Sequence, residues 1–295
     1  MSKTTALPHV YSGKVRELYE VDYDALLMVA SDRISVFDVI LPDEIPDKGR
    51  VLTALSHFWF EQTHGVVPNH LISCDPTDFP PNSGDVAGRA TLVKVTRPVR
   101  LECVVRGYLF GGGWAEYTER GSVGGLSMPA GLQLADRLPT PLFTPTTKAD
   151  SGHDVALSAD EAVALVGPDA YEQVRDLSLQ LYEFGARHAE SRGIILADTK
   201  FEFGERDDEI MLIDEAMTPD SSRYWPREAY RPGTSPPSFD KQYVRDHMDS
   251  TGWDRETPPP RMSPEVILST RAKYIEAYEL LTGLSFDDWY GPDDE

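Results

Sequence analysis

Residues 198–204 of the chain read Asp-Thr-Lys-Phe-Glu-Phe-Gly, and residues 210–215 read Ile-Met-Leu-Ile-Asp-Glu. The first stretch alternates polar and apolar side chains, and the second is apolar up to its acidic end. Together they predict a β-hairpin whose turn spans residues 205–209. One face of the first strand is charged and carries Asp198, Lys200 and Glu202. The other face is aromatic and carries Phe201 and Phe203. In this arrangement Asp214 lies roughly opposite Glu202.

Two carboxylates that face each other across a hairpin repel, because their Cβ atoms are only about 4.5–5.5 Å apart. A hard cation between them would remove the repulsion. Mg²⁺ prefers one or two carboxylates together with phosphate oxygens and water. Glu202 and Asp214 are therefore candidate Mg²⁺ ligands beside Lys200, whereas an exposed polar face of a hairpin is the alternative that the spacing leaves open.

Upstream of the hairpin, the chain is mainly strand-forming and contains one amphipathic helix. Apolar residues at steps of three and four predict the helix at residues 48–64. Strands are predicted at residues 15–21, 25–30, 90–95 and 99–105, and the turn residues Asp22-Tyr23-Asp24 predict that the first two strands form a hairpin. Arg97-Pro98 marks the predicted boundary between an N-terminal β-rich lobe, residues 1–97, and a larger lobe, residues 98–295. Residues 107–155 are rich in Gly and Pro and are predicted to be mainly loop.

Helices dominate the rest of the larger lobe. Ser158 followed by Glu161 forms a capping-box pattern before a short helix. Pro168 opens a longer helix, which Gly193 ends. Two C-terminal helices are predicted, at residues 238–250 and 263–281, and the second has Ser263 as its N-cap. Antiparallel strands with segregated helices are typical of the α+β class.

Composition excludes several functional classes. The 295 residues carry a formal charge of −21, which argues against nucleic acid as a partner because phosphate backbones require a basic face. We find no run of eighteen apolar residues and no signal-peptide pattern, and we therefore expect a cytoplasmic protein. Cys74 and Cys103 lack the spacing of a zinc site or a disulfide framework, so we expect two reduced thiols, with Cys103 in a buried strand.

Other segments place cations beside glycine or turn residues, a combination that suits anions. In Tyr11-Ser12-Gly13-Lys14-Val15-Arg16, the glycine allows backbone amides to approach a phosphate, although this is not a Walker loop. Turn residues precede Arg223, whose guanidinium binds phosphate or carboxylate bidentately. Arg106 leads into the glycines at 111–113. For each segment an ordinary turn or loop is the alternative.

Lys148 and His153 lie in one further polar loop. His153 has the chemistry of a general acid or base. A solvated position is the simpler interpretation of a loop histidine. No activated Ser or Cys nucleophile stands out, so the sequence predicts a site for anions, a nucleotide and Mg²⁺ without covalent catalysis.

Taken in order, these segments resemble the SAICAR synthetase (phosphoribosylaminoimidazole-succinocarboxamide synthase) family over nearly the whole chain. The matching stretches are YSGKVRELY at 11–19, ASDRISVFDV at 30–39, IPDKGRVLTALSHFWF at 45–60, ECVVRGYL at 102–109, PLFTPTTKAD at 141–150, ADTKFEFG at 197–204 and IDEAMTPDSSRYW at 213–225. The resemblance implies an α+β fold with an ATP-grasp- or kinase-like nucleotide site between two lobes, followed by C-terminal helices. It also implies condensation of carboxyaminoimidazole ribonucleotide (CAIR) with L-aspartate to give SAICAR, ADP and phosphate.

The resemblance assigns the following roles. ATP would be bound by Ser12, Gly13, Lys14, Arg16, Lys94, Glu102 and Lys148, with Lys94 near the adenine and Glu102 near the ribose. Mg²⁺ would be held by Glu202 and Asp214. CAIR and aspartate would be bound by Asp32, Ser35, Asp38, Arg106, Gly112, Asp220, Ser222 and Arg223. Catalysis would rest on Lys14 and Lys200 as cations, and Asp220 or a neighbouring carboxylate would take the proton of the aspartate amine. Many relatives have Ser where this chain has Gly112, and either the amides of residues 111–113 or Ser222 would then take the place of that hydroxyl.

Two alternatives compete with the ligase interpretation. A small-molecule kinase would use the same nucleotide site to phosphorylate a hydroxyl, but the sequence lacks the HRD-type and DFG motifs of protein kinases. An acidic, non-catalytic interaction protein would not need the lysines and arginines described above, namely Lys14, Arg106, Lys200 and Arg223. By analogy with shorter relatives, whose pairing surface the C-terminal extension would cover, we expect a monomer with small-molecule partners only, and neither nucleic acid nor membrane.

Overall fold

The computed structural model describes residues 5–148 and 155–290. The strands are β1 (His9–Ser12), β2 (Arg16–Glu20), β3 (Ala25–Ala30), β4 (Arg33–Val36), β5 (Val39–Glu44), β6 (Leu71–Ser73), β7 (Ala90–Lys94), β8 (Arg97–Pro98), β9 (Leu101–Tyr108), β10 (Ser122–Val123), β11 (Leu126–Ser127), β12 (Arg137–Phe143), β13 (Thr146–Thr147), β14 (Ile194–Arg206), β15 (Glu209–Ile213) and β16 (Ser222–Pro226). The α-helices are α1 (Lys48–Thr63), α2 (Gly111–Arg120), α3 (Ala159–Val166), α4 (Pro168–Ser191), α5 (Gln242–Ser250) and α6 (Pro264–Thr282).

An antiparallel sheet of five strands forms the N-terminal part, in the order β1-β2-β3-β7-β6. The predicted hairpin of β2 and β3 is confirmed, and Asp22 stabilises its turn by accepting hydrogen bonds from the amides of Asp24 and Ala25. The next strand along the chain, β8, pairs with β14 of the second sheet. The predicted division near residue 97 coincides with this change of sheet and remains a proposal.

A second sheet of seven strands is built around the long strand β14. Its first half is flanked by β9 and β16, and its second half by β15 and β8. The alternation at residues 198–204 predicted part of β14, which runs continuously from Ile194 to Arg206. The predicted turn at residues 205–209 is wrong: the turn consists of Asp207 and Asp208, which both have positive φ angles, as a type I′ hairpin turn requires.

The helices cover this second sheet and join it to the N-terminal part. Helix α4 packs on β14, and α1 packs against α6 within the same apolar core. The capping box of Ser158 and Glu161, the start of α4 at Pro168 and the N-cap of α6 at Ser263 are confirmed. Residues 107–155 were predicted to be mainly loop. This prediction is wrong, because the segment contains helix α2 and strands β10 to β13.

Two further findings bear on the sequence predictions. Cys74 and Cys103 are buried and unbonded, and Cys103 lies in β9, as predicted. Burial raises the pKa of the Cys74 thiol to about 12. Within residues 5–148 and 155–290, no helix is both long and apolar enough to cross a membrane. His153 lies outside the described residues.

Candidate active site

The loop between β1 and β2 is the segment that the sequence predicted to bind phosphate. The Gly13 amide donates to the Arg16 carbonyl oxygen at 2.7 Å and closes the turn. Glu17 accepts hydrogen bonds from the Ser12 hydroxyl at 2.6 Å and from Arg33 at 2.7 Å. Arg33 also donates to the Gly13 carbonyl oxygen at 3.3 Å. Side chains of the same part of the molecule therefore fix the base of this loop.

Lys14, at the tip of the loop, meets the hairpin of β4 and β5. Its ammonium group pairs with the carboxylate of Asp38, and both side chains are partly exposed, at 47% and 33%. Asp38 and its neighbour Phe37 form the hairpin turn, and both have positive φ angles. Because an exposed ion pair is weak, Lys14 is able to exchange Asp38 for an anionic ligand at little cost.

Asp32 and Ser35 belong to the same matching stretch as Asp38, residues 30–39, but their contacts are with other parts of the fold. Asp32 Oδ1 accepts a hydrogen bond from the Gly49 amide at 2.8 Å, in the first turn of α1. This contact satisfies a free helix amide and suits the positive end of the helix dipole. Ser35 is buried in β4 opposite Ile40. The structure thus brings Asp38 to the glycine loop but brings Asp32 to the start of α1.

Arg16 connects the N-terminal sheet to the acidic end of β15. Its guanidinium donates to Asp214 at 3.1 Å and to Glu215 at 2.8 Å. Burial acts to lower the pKa of Arg16, but the two carboxylates outweigh it and raise the pKa above its usual value. The sequence assigned Arg16 to the ATP phosphates, whereas the structure commits its guanidinium to the two carboxylates.

The register of β14 and β15 corrects the predicted opposition of Glu202 and Asp214. Glu202 is paired with Ile213, and Asp214 lies one residue beyond the strand with a φ of 64°. The two carboxylates are nevertheless close enough to affect each other. Burial raises the pKa of Asp214 to about 6. The charge of Arg16 opposes this shift, and the charge of Glu202 adds to it.

Two lysines surround Glu202. Lys148 donates to Glu202 Oε2, and Lys200 donates to Glu202 Oε1 at 3.3 Å and to Glu102 Oε1 at 2.6 Å. Burial acts to raise the pKa of Glu202, but the ammonium groups of Lys200 and Lys148 outweigh it and lower the pKa to about 2. Glu202 is thus a buried carboxylate that is kept ionised by cations.

This donor set fits Mg²⁺. Lysine ammonium groups occupy both oxygens of Glu202, which marks this carboxylate as a position where positive charge is favourable. In the described part of the chain, no three His, Cys, Asp or Glu residues form a complete metal cage. A metal held by Glu202 and Asp214 would consequently complete its shell with phosphate oxygens and water, as Mg²⁺ characteristically does.

Lys94 is the last residue of β7, which lies between β3 and β6 in the N-terminal sheet. Its ammonium group donates to the Asn69 carbonyl oxygen at 3.4 Å, and its amide donates to the His70 carbonyl oxygen at 2.8 Å. Burial, reinforced by the charge of Arg16, lowers the pKa of His70 to about 3. The imidazole of His70 is therefore neutral beside the charged groups.

A second anion site lies in the other sheet, where three adjacent strands place two arginines on either side of one aspartate. Asp198 on β14 is paired with Arg106 on β9 and with Arg223 on β16. Arg106 donates to Asp198 Oδ2 at 3.2 Å, and Arg223 donates to the same oxygen. All three side chains are largely buried. One carboxylate thus holds the two guanidinium groups together.

The N-terminus of helix α2 lies directly against these arginines. A Cβ atom at Gly111 would stand 2.6 Å from Arg223 Nη2, and one at Gly112 would stand 3.6 Å from Arg106 Nη2. The first amides of a helix have no partner within the helix, and they attract anions together with the helix dipole. Arg106, Arg223 and the amides at residues 111–113 therefore form a site of the kind that binds phosphate.

Ser222 does not join this site. Its hydroxyl is buried and bonded to Thr199 Oγ1 at 2.8 Å. Neighbouring strand residues point to opposite faces, so Ser222 and Thr199 lie on the face away from Asp198 and Arg223. The predicted contact of the Ser222 hydroxyl with substrate phosphate is not supported by this arrangement.

Asp220 has a deeply buried carboxylate that contacts three side chains. Lys48 donates to Oδ2 at 2.7 Å, Lys241 forms an ion pair with the same oxygen at 3.1 Å, and Tyr274 donates to Oδ1 at 2.8 Å. Burial acts to raise the pKa of Asp220, but the ammonium groups of Lys241 and Lys48 hold it well below its usual range. A buried carboxylate with these properties is a poor proton acceptor, which contradicts the predicted role of Asp220.

Sequence reasoning missed Lys48, Lys241 and Tyr274. A signal existed for Lys48, because it lies on the same helical face as Leu52, Leu55 and Trp59, where a lysine needs a buried partner. In the sequence, Tyr274 is indistinguishable from the other residues of the apolar stripe of α6. Lys241 precedes α5 without any distinguishing pattern.

The fold is α+β, and it carries two candidate anion sites, one at the glycine loop of the N-terminal sheet and one at Arg106 and Arg223 of the second sheet. A sequence profile described as SAICAR synthetase matches residues 9–260. The chain is 53% identical over 276 residues to the phosphoribosylaminoimidazole-succinocarboxamide synthase of Desulfosudis oleivorans, covering 92% of this chain and 94% of that protein. The chain belongs to the SAICAR synthetase family.

Other relatives cover the chain equally well. The phosphoribosylaminoimidazole-succinocarboxamide synthase of Saccharopolyspora erythraea is 50% identical, and the alignment covers 97% of each chain. Among solved structures, the SAICAR synthase of Saccharomyces cerevisiae in complex with SAICAR has a TM-score of 0.86 and 42% identity, covering 96% of this chain and 98% of that one. The fold is therefore that of the SAICAR synthetases, including the region of the C-terminal helices.

Proposed function

We propose that the protein is an ATP-dependent ligase that condenses CAIR with L-aspartate in purine biosynthesis, giving SAICAR, ADP and phosphate. Membership of the SAICAR synthetase family supports this activity. The observation that carries the proposal is the second anion site at Arg106, Arg223 and the N-terminus of α2, which is separate from the glycine loop. A ligase that takes ATP and a ribonucleotide needs two phosphate sites, one for each substrate.

A carboxylate is a poor acylating agent, so the reaction needs an activated intermediate. In the proposed mechanism, a carboxylate oxygen of CAIR attacks the γ-phosphorus of ATP, the bond to the β-phosphate oxygen breaks, and ADP leaves. The neutral amine of aspartate then attacks the acyl carbon, phosphate leaves with the bonding electrons, and the amine loses a proton. Such steps depend on positioning and charge neutralisation, which explains why no nucleophilic side chain is required.

At the nucleotide end, Ser12, Gly13 and Lys14 would face the ATP phosphates. Lys14 is the cation that is free to move, since its present partner Asp38 is exposed. Arg16 would act on ATP indirectly, by holding Asp214 and Glu215 in place. Lys94 and Glu102 would flank the nucleoside part. Lys148 and Lys200 would add positive charge beside Glu202.

Glu202 and Asp214 would hold Mg²⁺, which supplies positive charge to the phosphate oxygens when it is bound. We expect Glu202→Gln to abolish the Mg²⁺ dependence of ATP binding, measured by titration calorimetry with and without Mg²⁺. Glu205→Gln is the control, because Glu205 lies on the same strand but pairs with the exposed Arg97. A Glu202→Gln protein with wild-type Mg²⁺ dependence would refute the assignment.

At the substrate end, Arg106, Arg223 and the amides near Gly112 would bind the ribose phosphate of CAIR. Asp220 would position Lys48 and Lys241 rather than accept a proton. Asp38 would lie between the nucleotide end and the substrate end of the site, because it contacts Lys14.

A monomeric, cytoplasmic protein remains our prediction. Sedimentation equilibrium of the purified protein would give the mass of one chain at micromolar concentration. A mass of two or more chains would contradict the monomer.

Release of ADP tests the proposed function. Purified protein is incubated with Mg·ATP, with CAIR and L-aspartate supplied together and with each omitted in turn. We expect ADP to appear only when both are present, together with an equal amount of SAICAR. Phosphorylated CAIR that accumulates as a stable product, without any need for aspartate, would support the small-molecule kinase instead. No ADP from protein that still binds ATP would contradict both.

A further inference from the structure

The C-terminal helix α6 makes polar contacts with the candidate active site at two points. Tyr274 donates its hydroxyl hydrogen to Asp220 Oδ1 at 2.8 Å. Arg271, three residues earlier, donates to Asp47 Oδ2 through Nε at 2.7 Å and lies within 2.6 Å through Nη2. Residues three apart lie on the same side of a helix, so one face of α6 carries both contacts.

These contacts reach two segments that bear substrate-site residues. Asp47 directly precedes Lys48 at the start of α1, and Lys48 is one of the two lysines bound to Asp220. Asp220 in turn lies three residues before Arg223, which contacts Asp198. Arg271 and Tyr274 therefore hold opposite sides of the same buried ion pair.

The contact of Tyr274 is chemically distinct from the other two on Asp220. Lys48 and Lys241 both bind Oδ2, whereas Tyr274 is the described donor to Oδ1. A carboxylate with donors on both oxygens is fixed in its rotation about the Cβ–Cγ bond. Without the hydroxyl, Oδ1 is a buried acceptor without a partner, and the carboxylate is expected to turn or to shift with its loop.

Tyr274 is fully buried, and its ring packs in the core that α1 and α6 share. The hydroxyl is thus one polar atom at the end of an otherwise apolar contact. A substitution by Phe removes that atom and keeps the ring. The polar contact can therefore be tested separately from the packing.

We propose that Arg271 and Tyr274 of the C-terminal helix are positioning residues for the CAIR side of the active site. They orient Lys48, Asp220 and, through the loop that follows, Arg223. This inference rests on the proposed function, because it assigns the affected substrate as CAIR. It gives the C-terminal helix a part in substrate binding in addition to covering the core.

The test compares Tyr274→Phe with Tyr278→Phe. Tyr278 lies one turn further along the same helix, is equally buried and packs against Phe286. Steady-state rates are measured with CAIR, L-aspartate and ATP varied in turn. We expect Tyr274→Phe to raise the KM for CAIR about tenfold, the effect of losing one charge-assisted hydrogen bond, and to leave the KM for ATP within about twofold. Tyr278→Phe should leave both constants unchanged.

A merely structural role would lower the amount of active protein and change no KM selectively. Equal KM values in Tyr274→Phe and Tyr278→Phe would therefore overturn the proposal, as would an equal rise for CAIR and ATP. If Tyr274→Phe does not fold, Arg271→Gln replaces it, since Arg271 is partly exposed. It should raise the KM for CAIR about threefold with ATP unaffected, and no selective rise would again overturn the proposal. Wild-type protein that needs neither CAIR nor aspartate to release ADP would contradict the proposed function itself.

Discussion

Two lysine–aspartate ion pairs mark the two ends of the candidate active site, and they differ in exposure. Lys14 and Asp38 at the glycine loop have side chains that are 47% and 33% exposed. Lys48 and Asp220 at the substrate end have side chains that are 0% and 1% exposed. Exposed pairs contribute little and rearrange easily, whereas a buried pair that loses one partner leaves an uncompensated charge. The comparison indicates a nucleotide end that can move and a substrate end that is held in place.

The largest expected effect comes from breaking the buried pair. Asp220→Asn leaves Lys48 and Lys241 buried without a negative partner, and we expect the free energy of unfolding to fall by about 3–5 kcal/mol. Asp38→Asn is the matched change at the exposed pair and should cost about 0–1 kcal/mol. Equilibrium unfolding in urea measures both. Equal losses in the two variants would remove the distinction between the two ends.

The dependence of stability on pH tests the same buried ion pair. Because the pKa of Asp220 is held below the usual 3.8 in the folded protein, its contribution to stability is fully present above the unfolded pKa and is lost as the pH falls toward the folded value. The difference in unfolding free energy between wild type and Asp220→Asn should therefore be constant between about pH 5 and 7 and shrink below about pH 4. A difference that grows on acidification would contradict the assignment.

The glycines at the start of α2 provide the next test. Gly111 has a φ of 55°, and an added Cβ would lie 2.6 Å from Arg223 Nη2. We expect Gly111→Ala to displace Arg223 and to raise the KM for CAIR about tenfold or more. At Gly112 the nearest atom would lie at an ordinary 3.6 Å, so Gly112→Ala should change that KM less than about threefold. Steady-state kinetics with CAIR varied would check both, and a larger effect at Gly112 would be inconsistent with this geometry.

The smallest effect on stability is expected at Lys14. Lys14→Met removes the exposed ion pair with Asp38 and should change the free energy of unfolding by less than about 1 kcal/mol. Urea unfolding at low and high salt would measure it. A loss of several kcal/mol would mean that the glycine loop is held as firmly as the substrate end.

Much of the fold follows from local patterns in the sequence. The capping box at Ser158, the proline at the start of α4 and the hairpin turn at Asp22 are local signals, and all three are confirmed. Helix α2 was missed because three glycines at its start oppose helix propensity. Gly111 is explained by the close approach of Arg223, a contact between residues more than a hundred positions apart.

The site was predictable where its residues share one strand, and less so where distant segments meet. Alternation along β14 correctly grouped Lys200 and Glu202. Alternation along a strand fixes which face a residue lies on but not its exact partner, and the structure pairs Glu202 with Ile213, so Asp214 lies one residue beyond the position opposite Glu202. The three partners of the Asp220 carboxylate come from α1, α6 and the segment before α5, and local sequence patterns do not encode contacts between such distant segments.

The central claim is that the two ends bind different substrates. Steady-state kinetics of Lys14→Met and Arg223→Lys, with ATP and CAIR varied in turn, test it most directly. We expect Lys14→Met to raise the KM for ATP about tenfold and to leave that for CAIR unchanged, and Arg223→Lys, which loses the planar guanidinium fork, to do the reverse. Two variants that weaken the same substrate, or both substrates equally, would contradict the account.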